Sequence, residues 1–267
     1  MPTVTGNYGF FSGTDADRAR DINALFHDDD VKAIICLNGG YGSARILDKL
    51  DYEYIASHPK LVIGFSDVTA LQIALWEKCR LVTANGPLMV TLGGSDAYTA
   101  GQFFQGLTTD AWRGPLALPA GRKLMTVVPG QAEGPIVGGN LTVLTSLVGT
   151  PYALDGTGCI LVLEDTGEDA YRIDRMLNQL WQSGLLSRVA AIAYGDFTDC
   201  PNDPGDFTTD QVLDYYAHLA GKPAIKGLPV GHTKDKAFVP YGVKVRLDAD
   251  GEGASLTFID VCGIRPL

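Results

Sequence analysis

A serine hydroxyl attacks a carbonyl only when a base takes its proton and donors receive the charge that forms on oxygen. The tetrapeptide Gly64-Phe65-Ser66-Asp67 closes the apolar run Leu61–Gly64 and opens a helix predicted from about Asp67 to Cys79. Such a strand–serine–helix turn lifts the hydroxyl above the sheet edge, beside the helix's N-terminal N–H groups. Position 68 is Val, so the second glycine of a G-x-S-x-G elbow is missing. The competing reading is that Ser66 only caps the helix.

Four histidines could supply a base. His27 ends an acidic helix, His58 precedes a proline, and His218 has polar helical neighbours. His232 differs, because Pro229-Val230-Gly231-His232-Thr233 is a loop entered through a glycine after an apolar stretch. Imidazole suits base work at neutral pH, although a lone loop histidine is commonly just a surface residue. A carboxylate would fix its tautomer. Glu164-Asp165 follows the apolar run Ile160–Leu163. Asp165 is expected to cap the next helix, leaving Glu164 to orient His232. The resulting chain order, Ser66, Glu164, His232, is the nucleophile–acid–histidine order of α/β acyl-transfer enzymes.

Gly39-Gly40-Tyr41-Gly42 follows another apolar run. No Lys-Ser/Thr follows it and its spacing is not G-x-G-x-x-G, so a phosphate cradle is disfavoured. It could offer backbone N–H groups to an oxyanion or serve as a purely structural turn. No H-E-x-x-H, Cys/His pair or carboxylate cluster has ligand spacing, so the site is expected to use neither metal nor cofactor.

These residues need elements to hold them. Residues 14–26 are predicted helical, with Thr14 as cap, Asp15 and Asp17 in the first turn, and Ala19, Ile22, Leu25 and Phe26 on one face. Val31–Leu37, Leu61–Gly64 and Leu81–Ala84 read as buried strands alternating with helices. That alternation predicts an α/β fold with a parallel sheet. The Pro-, Gly- and Ala-rich stretch 115–131 reads as a linker between units 1–114 and 132–267. In the second unit Ile160–Leu163 and Ala190–Tyr194 read as strands. Residues 169–186 form the clearest amphipathic helix, and 209–220 are also helical. Val243, Val245 and Leu247, with Leu256 and Phe258 across Asp250-Gly251-Glu252-Gly253, predict a β-hairpin.

The 267 residues are 46% hydrophobic and 19% charged, which excludes a low-complexity scaffold. A net charge of −10 without any basic run argues against nucleic acid and anionic membrane as partners. No apolar run reaches the ~18 residues that span a bilayer. The first residues carry no secretion signal, and five cysteines with no zinc spacing read as buried, reduced thiols. Both point to the cytosol.

Taken together, the motifs resemble those of the serine LD-carboxypeptidases, a family that includes the muramoyltetrapeptide carboxypeptidases and the microcin C self-immunity peptidases. The matching pieces begin with Phe11-Ser12-Gly13-Thr14-Asp15, Arg18 and Asp21-Ile22-Asn23. Gly39-Gly40-Tyr41-Gly42 with Arg45, Gly64-Phe65-Ser66-Asp67-Val68-Thr69-Ala70 and Asn85-Gly86-Pro87 follow. The second half adds Gly138-Gly139-Asn140-Leu141, Gly149-Thr150-Pro151, Leu163-Glu164-Asp165, Arg172-Ile173-Asp174-Arg175-Met176-Leu177, and Gly231-His232 with Pro240-Tyr241-Gly242.

The resemblance implies a triad of Ser66 as nucleophile, His232 as base and Glu164 as orienting acid, with the N–H groups of Gly40 and Asp67 as oxyanion hole. It also implies an N-terminal class I glutamine amidotransferase-like domain, a β-rich C-terminal domain, a site between them, and a homodimer. The implied reaction releases D-alanine from murein tetrapeptide in peptidoglycan recycling. The alternatives are a self-immunity peptidase that cleaves an aminoacyl-nucleotide amide, and an inactive binder of cell-wall peptides. Arg172, Arg175 and Lys234 are the candidates for holding the substrate carboxylate. Three departures stand out: no counterpart to the family's opening strand and helix, Asn38 where Arg is frequent, and Asn85 where His is frequent.

Overall fold

The computed structural model describes residues 1–108, 112–250 and 253–259. Its first helix, α1 (Asp15–His27), starts where the capping signal predicts, with the Thr14 hydroxyl accepting the Asp17 N–H. Strands β1 (Ala33–Ile35), β2 (Leu61–Gly64) and β3 (Thr83–Asn85) pair in parallel. Between and after them lie α2 (Tyr52–Ser57), α3 (Thr69–Cys79), α4 (Met89–Leu92) and α5 (Ala97–Thr108). In α3 every side chain from Thr69 to Leu75 is buried, so this stretch is a core helix without a solvent face.

The larger sheet gathers β4 (Gly114–Pro115), β5 (Met125–Val128), β6 (Gln131–Asn140), β7 (Ile160–Thr166), β8 (Ala191–Thr198) and β9 (Ala224–Lys226). After them come β10 (Val239–Tyr241), β11 (Lys244–Asp248) and β12 (Ser255–Phe258). The eight-stranded order is β4-β12-β11-β6-β7-β8-β9-β5. Its centre, β6 to β9, is parallel, and Ile160 to Leu163 have no exposed surface, as expected for strands covered on both faces. Its flanks are antiparallel, and β11 and β12 form the predicted hairpin.

Three expectations are corrected. The stretch 115–131, read as a linker, instead threads the larger sheet: Pro115 pairs on β12 and β5 pairs on β9, at opposite edges. Pro and Gly did not exclude strand there, because an edge strand needs hydrogen bonds on one side only. The smaller sheet is also not purely N-terminal. Its order is β1-β2-β3-β10, with β10 antiparallel on β3 and Pro240 at the edge. The amphipathic helix predicted over 169–186 breaks into α7 (Ala170–Gln182) and α8 (Leu185–Arg188), because Gly184 turns left-handed at φ 79°.

The remaining helices are α6 (Leu141–Ser146) and α9 (Thr209–Ala220), the latter opened by a Thr208/Gln211 capping box. One apolar cluster runs from Ile34 and Val62 through Leu71 and Ile73 to Leu144, Leu161 and Leu177, so the two sheets share a core across α3. Of the cysteines described, 36, 79, 159 and 200, all are free and Cys159 alone is buried; Cys262 lies outside the described residues. Among the described residues no helix is long and apolar enough to cross a membrane.

Asp15 ties α1 to the glycine loop. Arg45, three residues beyond Gly42, grips its carboxylate with Nε and Nη2 at 2.7–3.1 Å, and Arg18 adds a bond of 2.7 Å. These bonds hold the Asp15 carboxyl at about 2, below its ordinary 3.8. A lowered carboxyl stabilises the fold above the unfolded value and loses that contribution as pH falls through the folded one. Denaturant titrations from pH 5 to pH 2 are expected to show wild type losing stability more steeply than D15N below about pH 4. Parallel curves would show that this pairing contributes nothing.

Candidate active site

Ser66 sits at the end of β2 in a conformation that L-residues avoid, φ 63°. Phe65 before it is extended, and a short 3-10 turn, Ser66–Val68, leads into α3. Close packing enforces the bend: a Cβ on Gly64 would come within 2.9 Å of the Val68 side chain. Gln72, on the first turn of α3 and buried, donates to the carbonyls of Gly64 (3.1 Å) and Ala84 (2.8 Å), fixing the ends of β2 and β3.

His232 reaches the serine from a loop 166 positions further along the chain. Its Nε2 is 3.0 Å from Ser66 Oγ and its Nδ1 is 2.9 Å from Glu164 Oε2. Glu164 has no exposed side-chain surface, whereas His232 retains a quarter of its own. An ionised carboxylate only accepts, so Nδ1 carries the proton and Nε2 is left to accept from the serine hydroxyl. Burial pushes the Glu164 carboxyl up, and the bond from His232 pulls it back down. The Phe65 ring meets the imidazole edge-on, centroids 5.0 Å apart.

Small residues make room for this chain of bonds. A Cβ on Gly195 would lie 2.4 Å from the Val230 carbonyl oxygen, and one on Gly231 would lie 2.9 Å from Glu164 Oε2. Glycine at both positions lets the backbone before His232 lie on the carboxylate. Gly231 also has φ 124°, open to few other residues.

Asp165 does not cap the helix that follows it. Neighbouring strand residues face opposite ways, so Asp165 points away from His232 toward α6. It accepts from Thr142 N (2.9 Å), Thr142 Oγ1 (2.8 Å) and Asn140 Nδ2 (2.9 Å). The same end of β6 is pinned to α3, because Asn140 N donates to Thr69 Oγ1 at 3.0 Å.

The glycine loop lies over the elbow. A Cβ on Gly39 would sit 3.2 Å from Ser66 Oγ, and Gly40 is next along, at φ 102°. Asp67 anchors that loop through its carboxylate, which accepts from Gly42 N (3.2 Å), Ser43 N (2.8 Å) and Ser43 Oγ (2.7 Å). This second use of Asp67 gave no sign in the sequence.

Among the described residues, the other candidates make no hydrogen bond or ion pair with Ser66, Glu164 or His232. Arg172 is exposed on α7, beside Glu168 (3.6 Å) and Asp169 (3.5 Å). Arg175 stands over the Tyr171 ring, and the Lys234 side chain is exposed. His27 and His58 stack on Tyr54, and His218 bonds the Asp214 carbonyl of its own helix. Lys236, which sequence reasoning passed over, stands beside the site, its Nζ 5.0 Å from the Phe65 ring centroid. The signal was there: it lies four residues after His232, on the same loop.

Comparison with known proteins gives the family of the chain. The sequence pattern of the LD-carboxypeptidase N-terminal domain matches residues 1–86, and that of the C-terminal domain matches residues 133–247. The chain is 39% identical over 253 residues to a probable murein peptide carboxypeptidase of Bacillus subtilis, covering 92% of this chain and 77% of that one. It is 30% identical to the microcin C7 self-immunity protein MccF of Escherichia coli, covering 95% and 82%. A crystal structure of muramoyltetrapeptide carboxypeptidase from Oxalobacter formigenes superposes with a TM-score of 0.83 at 32% identity, covering 95% and 86%.

The left-handed Ser66 backbone makes a stability prediction. Alanine removes the hydroxyl but keeps the strain, whereas glycine relieves it. S66G is expected to be more stable than S66A by about 1 kcal/mol. Equal midpoints in urea denaturation would show an unstrained elbow.

Proposed function

This chain belongs to the LD-carboxypeptidase family and is a serine carboxypeptidase; from that premise we propose that Ser66, His232 and Glu164 are its catalytic triad and that it cleaves an L,D-peptide bond to release a C-terminal D-alanine. The supporting observation is the unbroken hydrogen-bonded chain from Ser66 through His232 to the buried Glu164.

In this reading His232 Nε2 takes the Ser66 proton as Oγ bonds to the carbonyl carbon of the penultimate diamino acid. The tetrahedral oxyanion is held by the N–H groups of Gly40 and Asp67. His232, now an imidazolium steadied by Glu164, gives its proton to the amine of D-alanine as the C–N bond breaks. Water, deprotonated by the same imidazole, then attacks the ester. The shortened peptide leaves with a new carboxylate, and Oγ recovers its proton.

The named relatives make murein tetrapeptide the first substrate to try, and turnover of cell-wall peptides is the role that fits it. The smaller sheet, with its strand–nucleophile–helix turn, reads as the glutamine amidotransferase-like unit. The self-immunity relative keeps a second reading in play, in which the same triad opens the amide of an aminoacyl nucleotide.

The experiment is to incubate purified protein separately with murein tetrapeptide and with an aminoacyl sulfamoyl adenosine. Release of D-alanine from the first, and an intact second, is the expected result. S66A is expected to lower kcat/KM by about a thousandfold or more, and H232A by a similar factor, since the three groups act as a unit. Near-wild-type rates in S66A would refute the triad, and cleavage of the nucleotide alone would replace the substrate.

A further inference from the structure

We propose that Lys236 binds the C-terminal carboxylate of the substrate and so selects for peptides that end in a free acid. The inference rests on the hydrolase reading above and adds the group that recognises the leaving residue.

The need is electrostatic. A carboxypeptidase must hold a carboxylate beside its nucleophile, here on a chain with a net charge of −10. A local cation is required. Arg172 is beside Glu168 and Asp169, Arg175 stands over the Tyr171 ring, and Lys234 is exposed beside Asp96 and Asp235. Lys236 is placed for the role. Its ammonium stands 5.0 Å over the ring of Phe65, and that ring meets the His232 imidazole at 5.0 Å. One aromatic side chain, adjacent in sequence to the nucleophile, therefore carries both the base and the cation.

The acids around Lys236 have other partners. Glu164 accepts from His232 at 2.9 Å. Asp196 is bound by Arg122 at 2.6 Å. Asp96 caps α5 by accepting from Thr99 N at 2.8 Å, and the Asp235 carboxyl beside it is raised by that neighbour. No carboxylate among the described residues lies within 4 Å of the Lys236 ammonium. Its hydrogen bond goes to the Thr233 carbonyl. An ammonium carries three donors, so two are left for the two oxygens of a carboxylate. Burial lowers the Lys236 amine from its ordinary value, an effect that an arriving carboxylate reverses.

The loop is held before any ligand comes. Lys236 N donates to Thr99 Oγ1 at 2.9 Å, and that hydroxyl donates to the Lys234 carbonyl at 3.2 Å. Thr99 itself is 2% exposed. The loop closes through Ala237 N and the Pro229 carbonyl at 2.7 Å. The ammonium is thus preorganised, and little freedom is lost when a carboxylate binds.

Lys236 could instead serve only to latch its loop through Thr233. K236Q separates the two roles, because glutamine keeps a donor for that carbonyl and drops the charge. K236M, which drops both, is the second variant should K236Q not fold, and K236R restores the charge. The substrates are one tetrapeptide ending in D-alanine and the same peptide ending in D-alanine amide. Wild type is expected to prefer the acid. K236Q should lose at least tenfold more kcat/KM on the acid than on the amide, through KM, and K236R should recover the preference. Equal losses on both substrates, or an undiminished preference in K236Q, would overturn the assignment alone. A wild-type protein that frees neither D-alanine from the acid nor D-alanine amide from the amide would overturn the hydrolase reading, and this inference with it.

Discussion

The hydrogen bond between His232 Nδ1 and Glu164 Oε2 is the contact on which the rest of the site depends. A carboxylate with no exposed surface is costly, on the order of several kcal/mol when unpaired. Here the imidazole meets it at 2.9 Å, and Asn140 lies beside it. That pairing holds the ring in one orientation, with the opposite nitrogen 3.0 Å from the Ser66 hydroxyl. Glycines at 195 and 231 let the surrounding backbone close over the Glu164 carboxylate.

Such a site could not persist between two loosely hinged halves. The nucleophile stands on the smaller sheet and the other two side chains on or beside the larger one, so both sheets must be locked together. The lock is α3. Buried all round from Thr69 to Leu75, it packs between the sheets and belongs to one apolar cluster with Leu144, Leu161 and Leu177. Thr69 adds a direct polar tie by accepting from Asn140 N, and β10 completes the bracing by crossing from the C-terminal half to pair with β3. The same rigidity extends to the loop after His232, where Thr99 fixes Lys236.

Local signals in the chain proved legible wherever one element decided the outcome. The strand–Ser66–helix turn, the cap at Thr14 and the buried run at Ile160–Leu163 each follow from neighbours within a few residues. Reading failed where distant partners chose between local options. The 115–131 stretch looked like a linker because Pro and Gly weaken strands, but edge positions on an existing sheet tolerate them. Asp165 looked like a cap for α7; strand alternation turned it to α6 instead, whose position no local pattern gives. Lys236 drew no reading at all, because only the folded chain brings the Phe65 ring beneath it.

Composition, apolar periodicity and glycine placement were thus enough to define most element types and the strand–Ser66–helix turn, because each is written in short-range chemistry, whereas Ser66, Glu164 and His232 were singled out together only by the family resemblance. Their meeting was decided by tertiary structure alone. Ser66 and His232 are 166 positions apart, and only the shared core across α3 and the close approach at Gly195 and Gly231 bring an imidazole within hydrogen-bond reach of that hydroxyl. Distance in space between remote residues is set by packing, which no local stretch of chain encodes.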